Sequence, residues 1–222
     1  ILSDVEALSH CMLFWRSFTH WIGGMGVLVF ILCLLPLTGG YHMNLMKAES
    51  PGPSVNRLVP KVQSTAKILY TIYLGMTLLQ ILLLLIGKMP LFDTLCITFG
   101  TAGTGGFGIK NSSIAGYSTY IQVIVTIFMI LFGINFNVYF LLLTRKFTQA
   151  FKHEEVRYYL GIIAFSTIII ALNTKHLFQN IGTAFQQSAF QVGSIITTTG
   201  YGTTDFNQWP ALSKTILVLL MF

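Results

Sequence analysis

The sequence predicts an all-α integral membrane protein assembled from repeats, and three observations carry that prediction. Hydrophobic residues make up 54% of the chain and charged residues 9%, with a mean hydropathy of +0.71, whereas soluble domains carry about 25% charged residues. Uncharged runs long enough to cross a bilayer recur along the chain. Two Thr/Gly-rich stretches, "TAGTGGFGIKNS" from Thr101 and "TTTGYGTTDFNQ" from Thr197, stand between such runs and match one another. Gly106 aligns with Gly200, Gly108 with Gly202, Phe107 with Tyr201 and Thr104 with Thr198, each pair 94 positions apart.

Taken in order, the first apolar segment runs from about Phe18 to Leu37 and contains "HWIGGMG". Its three glycines, Gly23, Gly24 and Gly26, suit close helix packing, because small residues dominate helix contacts in membranes. The next span, Ile68 to Gly87, holds no charge and is bracketed by Lys67 and Lys88. A third starts near Ser118 and stays uncharged to Thr144, so long that it must tilt, kink or project. A fourth lies between Arg157 and Lys175, and a last begins near Trp209 and is still apolar at Phe222, so it is expected to continue.

Two further apolar stretches, Leu91 to Ala102 and Thr183 to Ile196, are too short to cross and suit re-entrant half-helices. Each leads directly into its Thr/Gly stretch and then into the next span. Irregular backbone survives at membrane depth only where protein covers it or water fills a cavity. The expected unit is therefore helix, pore helix, filter, helix, repeated around a pore. Residues 1–37 are the end of one repeat with its second transmembrane helix, 38–61 a cytoplasmic linker, 62–148 a complete pore repeat, 149–155 a second cytoplasmic linker, and 156–222 a pore repeat truncated at its C-terminal end.

Charge and cysteine usage narrow the classes. The net charge of +6 comes from residues scattered over short connections, with no basic stripe interleaved with aromatics, which excludes a nucleic-acid surface. Cys11, Cys33 and Cys96 show neither a disulfide framework nor zinc spacing. No signal peptide opens the chain and residue 1 is Ile, so it reads as an internal slice of a longer protein. Lys47, Arg57, Lys61 and Lys67 fall in one connection and Arg145, Lys146, Lys152 and Arg157 in another, two crossings later. By the positive-inside rule these are cytoplasmic, and both Thr/Gly stretches open outward.

Thr and Gly side by side, nearly free of charge, suit a backbone turned toward a dehydrated cation, since glycine permits φ > 0 and each carbonyl is a potential ligand. The half-helices add the partial negative charge of their C-terminal ends. "GTGGFG" from Gly103 formally matches a dinucleotide fingerprint, but that motif needs a strand before it, a helix after it and an acid about 20 positions on. Gln122 and Val123 stand there instead. Asp93 suits an N-terminal cap. Asp205 suits a loop acid, a cap for the helix near Trp209, or an attractor of cations. Asn135 and Asn137 are expensive in lipid and suit helix-to-helix hydrogen bonds, with cavity lining second. His20 reads as a packed polar residue and Arg16 as an interfacial anchor. No H-E-x-x-H, nucleophile elbow or paired carboxylates point to an enzyme.

Three stretches carry a resemblance: "FWRSFTHWIGGMG" from Phe14, "FGTAGTGGFGIKNSS" from Phe99 and "FQVGSIITTTGYGTTDFNQWP" from Phe190. Over nearly its whole length the chain resembles the Trk/Ktr/HKT superfamily of potassium transporters, most closely the bacterial TrkH-type membrane subunit. The resemblance implies a potassium-channel-like fold of four unequal covalently linked repeats around one pore, with 1–37, 62–148 and 156–222 belonging to the first three. It implies a filter lined here by Thr104, Gly105, Gly106 and Phe107 and by Thr198, Thr199, Gly200 and Tyr201, with the Phe107 and Tyr201 rings packed behind it. Potassium is then the substrate and no cofactor is implied. The implied setting is a homodimer, multi-pass in the bacterial plasma membrane, with a cytosolic TrkA/KtrA-like nucleotide-binding ring docked on the basic loops. Two filters are half a ring, so the slice alone is not expected to conduct. A sodium-selective or Na⁺/K⁺ transporter of the same fold and a non-conducting assembly subunit are the other readings.

Overall fold

The computed structural model describes residues 4–26, 62–143, 145 and 153–222. The remainder of the first apolar segment, the linker with Lys47, Arg57 and Lys61, and Lys146 and Lys152 lie outside the described residues. Among the described residues the regular structure is helical, with no strand. In chain order the helices are α1 (His10–Gly24), α2 (Val62–Ile86), α3 (Leu91–Ala102), α4 (Thr119–Phe132), α5 (Phe136–Leu143), α6 (Glu154–Thr174), α7 (Ile181–Ile196) and α8 (Ala211–Leu219). Single 3-10 turns at Lys175–Leu177 and Phe206–Gln208 complete the set.

Helices α2 and α6 are long and apolar enough to cross a membrane. Their outward faces are apolar too: Leu78, Leu82 and Ile86 on α2 and Phe165 and Leu172 on α6 are all more than half exposed, the pattern of a helix whose solvent is lipid rather than water. Helices α3 and α7, of 12 and 16 residues, are the expected half-helices, and α7 begins at Ile181, two positions before the expected Thr183. α3 is enclosed by α1, α2 and α4, and α7 by α6 and α4, while α8 packs on α6. Both half-helices are thus interior, and eight of the twelve α3 residues are buried.

Two expectations are corrected. The first segment is helical from His10 rather than Phe18, because Ser9 caps it by accepting from the Met12 N–H, and within the added turns Ser17 is buried. The long third span is bent: α4 and α5 meet at 90°. Gly133 ends α4, and Asn135 starts α5 by accepting from the Asn137 N–H at 3.0 Å, an N-cap that opens a new helix in a new direction. The carbonyls loosened at the break are met by tyrosines, Tyr159 Oη donating to Ile130 O at 3.1 Å and Tyr139 Oη to Leu131 O at 2.6 Å. That repays the lost ladder bonds, which lipid cannot do.

Candidate functional site

Chain leaving α3 and chain leaving α7 follow the same path. Thr104 (φ +53°) and Thr198 (φ +58°) are left-handed, and so are Gly106 (φ +62°) and Gly200 (φ +83°). The backbone hydrogen bonds repeat with them. Gly103 N donates to Phe99 O and Thr197 N to Gly193 O; Thr104 N to Thr101 O and Thr198 N to Ile195 O; Gly106 N to Gly100 O and Gly200 N to Ser194 O, all between 3.0 and 3.2 Å. Glycine adopts this conformation freely. For a β-branched threonine it is a true outlier, costing about 1–3 kcal/mol, and it recurs at both copies. The shared strain is held by the orphan carbonyls at each half-helix terminus, which the left-handed turn lets the following N–H groups reach.

The two loops lie against one another. A methyl added at Gly106 would overlap the carbonyl oxygen of Thr199, so the first loop's glycine is pressed onto the second loop's backbone. Farther along, Ile114 N donates to Gly202 O at 3.0 Å, and Gly202 N donates to Ser113 Oγ at 3.1 Å. Two polar helix-to-helix bonds brace the same region: Gln122 Oε1 accepts from Gln186 Nε2 at 3.0 Å and from Gln187 Nε2 at 3.1 Å. Gln122 Nε2 donates to Tyr117 O at 3.2 Å, and Thr203 Oγ1 bonds to Gln187 Oε1. Gln122 belongs to no motif, and only its position just beyond the first loop could have drawn attention to it; Ser113 closes the stretch that begins at Phe99, but nothing in the sequence marks it as a partner of the second loop.

The aromatic residue of each loop docks into the unit before it. Tyr201 is fully buried, and its hydroxyl donates to Ile97 O on α3 at 3.1 Å; its own carbonyl accepts from Ser194 Oγ at 2.6 Å. Phe107 is half-buried against α1. His20 meets its ring edge-on, 5.0 Å between centroids, and the Arg16 guanidinium lies 4.9 Å from the ring centroid. His20 Nε2 also donates to Gly103 O at 2.9 Å, and the carbonyl, an acceptor only, requires that nitrogen to carry the hydrogen. His20 is a packed polar residue. Arg16 is not a free interfacial anchor, because it stacks on a residue of the first loop. Close packing holds at Gly24, where an added methyl would crowd the Gly103 Cα and the Tyr73 hydroxyl, but Gly23 has open space and Gly26 serves a turn at φ +78°.

The acids and amides take structural places. Asp93 does not cap α3, which begins after Pro90 without a side-chain cap; it accepts from Tyr117 Oη at 2.8 Å. Burial, and then this carboxylate, push the Tyr117 phenol up. Asp205 caps the turn before Trp209, accepting from Asn207 N at 3.0 Å. Asn135 joins the α4–α5 break to α6 by donating to Glu155 Oε2 at 3.2 Å. Beyond the first loop Asn111 Nδ2 donates to Asp4 Oδ1 at 2.7 Å, and that amide holds the Asp4 carboxyl below its ordinary range. Among the described residues no group of His, Cys, Asp and Glu is placed to hold a metal ion. What the site offers a cation is therefore neutral oxygen, from backbone and hydroxyls, next to two half-helix C-termini.

A family profile described as "TrkH: Cation transport protein" matches residues 1–222. The chain is 32% identical over 226 residues to the Trk system potassium uptake protein TrkH of Salmonella typhimurium, covering 100% of this chain and 47% of that protein. It is 29% identical to the Trk system potassium uptake protein TrkG of Escherichia coli, with the same coverage. The crystal structure of the potassium transporter TrkH from Vibrio parahaemolyticus superimposes with a TM-score of 0.76 at 27% identity, over 97% of this chain and 44% of that one. The chain thus spans about half the length of the curated relatives it matches. With half-helices and loops repeated in an all-α membrane fold, and a profile match from end to end, the chain belongs to the TrkH family of cation transport proteins.

Proposed function

We propose that the full-length protein takes up potassium across the bacterial plasma membrane through a filter to which this chain contributes two quarters. Thr104, Gly105, Gly106 and Phe107 form one quarter, and Thr198, Thr199, Gly200 and Tyr201 the next. The observation that carries the reading is the duplicated backbone: the same two positions turn left-handed after the same kind of buried half-helix, and the loops pack side by side. A cation entering such a site exchanges its water shell for fixed oxygens, and rigid loops make that exchange selective. The half-helix C-termini ending at Ala102 and Ile196 favour positive charge there. The named relatives are potassium uptake proteins, which supports potassium as the ion.

In this reading residues 1–37, 62–148 and 156–222 belong to successive pore repeats joined by cytoplasmic linkers at 38–61 and 149–155. The pore subunit is a homodimer carrying a cytosolic nucleotide-binding ring on its basic loops, and the chemistry is transport rather than catalysis. The test is growth of potassium-uptake-deficient bacteria at limiting K⁺. Rescue by the full-length gene, lost with Gly106→Ser or Gly200→Ser at equal membrane abundance, supports the filter. An inserted full-length protein that fails to rescue, or glycine variants that rescue fully, overturns it.

A further inference from the structure

We propose that Arg16, carried on α1, is a positioning residue that sets ion discrimination by holding Phe107 and, through it, the backbone of the first loop. The proposal rests on the reading of the loops as a filter and adds a residue outside them. Phe107 and Tyr201 are equivalent in the repeat, but they are held by different chemistry. Tyr201 is locked by enclosure and by its hydroxyl on Ile97 O. Phe107 has no hydroxyl and is only half-buried, so a tyrosine-type lock is not open to it. In its place the ring meets two side chains of α1, the Arg16 guanidinium over its face at 4.9 Å and the nearly perpendicular His20 ring with centroids 5.0 Å apart. A cation over an aromatic face gains from the ring quadrupole, more so where water is excluded.

The state of the guanidinium supports a role inside the protein. Its Nη1 is enclosed and has no hydrogen-bond partner, and no carboxylate lies within ion-pair distance of Arg16 among the described residues. An anchor at the membrane surface would keep its nitrogens on water or headgroups. With that nitrogen withdrawn from water and the guanidinium over the Phe107 face, the side chain is placed to steady the ring. Phe107 follows Gly106, which is left-handed and seated on the Thr199 carbonyl, so a ring free to move loosens the contact between the loops. A filter that tells K⁺ from Na⁺ by the size of its cavity needs its oxygens held firmly.

The experiment is a double-mutant cycle on the full-length protein in liposomes, reading the K⁺/Na⁺ permeability ratio and the total flux per inserted protein for wild type, R16Q, R16K, F107L and R16Q/F107L. R16Q and F107L are each expected to lower the ratio by roughly tenfold. The double variant should fall no further than the worse single one, because both remove one contact, and R16K should restore most of the ratio. An R16Q protein with reduced abundance or flux and an unchanged ratio shows a merely structural role and overturns the proposal. Independent, multiplying losses in the cycle overturn it as well. If wild type discriminates and Gly106→Ala destroys discrimination while R16Q keeps it, this inference alone falls; a wild type without K⁺ preference removes the filter reading along with it.

Discussion

Gly106 and Gly108 look interchangeable in the sequence, since both recur 94 positions on, but the fold treats them differently. Gly106 is left-handed and abuts the Thr199 carbonyl, whereas a methyl at Gly108 would meet only Lys110 O at 3.6 Å and Ser113 atoms beyond it, ordinary contacts at an unstrained φ. Left-handed backbone costs an alanine about 1–2 kcal/mol, and backbone overlap, which no rotamer change can relieve, adds to it. Gly106→Ala is therefore expected to cut uptake of radioactive rubidium by at least about tenfold and Gly108→Ala by less than about twofold; equal effects would show that the left-handed contact is not what the loop needs. Gly106 and Gly200 were legible in the sequence because glycine advertises unusual φ, and they adopt it, whereas Gly108 and Gly202 align equally well and do not. Thr104 and Thr198 were not legible as left-handed, because a β-branched residue argues against that conformation. The partners of Asp93, Arg16 and His20 lie dozens of positions away, and no local rule reaches that far.

Apolar runs made most helices readable as elements, and where reading failed a polar residue had found a protein partner. α1 starts at His10 because Ser9 caps it, and its polar side chains find partners that the sequence does not announce, His10 on the Phe92 ring, Arg16 on Phe107 and Thr19 on the Trp15 carbonyl. The break after Phe132 was legible only as excess length, since Asn135 is an N-cap whose helix lies within an unbroken apolar run. Gln122 is the extreme case: in the sequence it registers only as the place where a dinucleotide-binding protein would keep an acid, yet in the fold it ties α4, α7 and the segment after the first loop together. Replacing it with leucine strands the amide donors of Gln186 and Gln187, at about 1–3 kcal/mol for each buried group left unpaired. Gln122→Leu in full-length protein in detergent should melt several degrees lower and take up less rubidium. An unchanged melting temperature would mean that Gln186 and Gln187 find other partners and that the network is not a brace.

At the scale of the molecule, each unit completes the one before it: Phe107 docks on α1, and Tyr201 on α3. Chain order thus becomes order around the site, and the two loops lie side by side. Charge says which side of the membrane they face. The ends of α2 and α6 away from the loops carry Lys67, Arg157 and, across the break, Arg145, together with connections rich in further basic residues, and by the positive-inside rule we predict that these connections are cytoplasmic. α6 has 21 residues, about 31 Å at 1.5 Å per residue, enough to carry the chain across a hydrocarbon core of about 30 Å. Glu154 at its start and Asp205 beyond the second loop, both exposed, must then lie on opposite faces. In a full-length protein with all native cysteines, Cys11, Cys33 and Cys96 among them, replaced by serine, a cysteine put in by Asp205→Cys should react with a membrane-impermeant maleimide added to intact cells. One put in by Glu154→Cys should react only after permeabilisation. The reverse pattern would turn the protein over and with it the side from which the proposed potassium uptake starts, and reaction of both in intact cells would show that α6 does not cross.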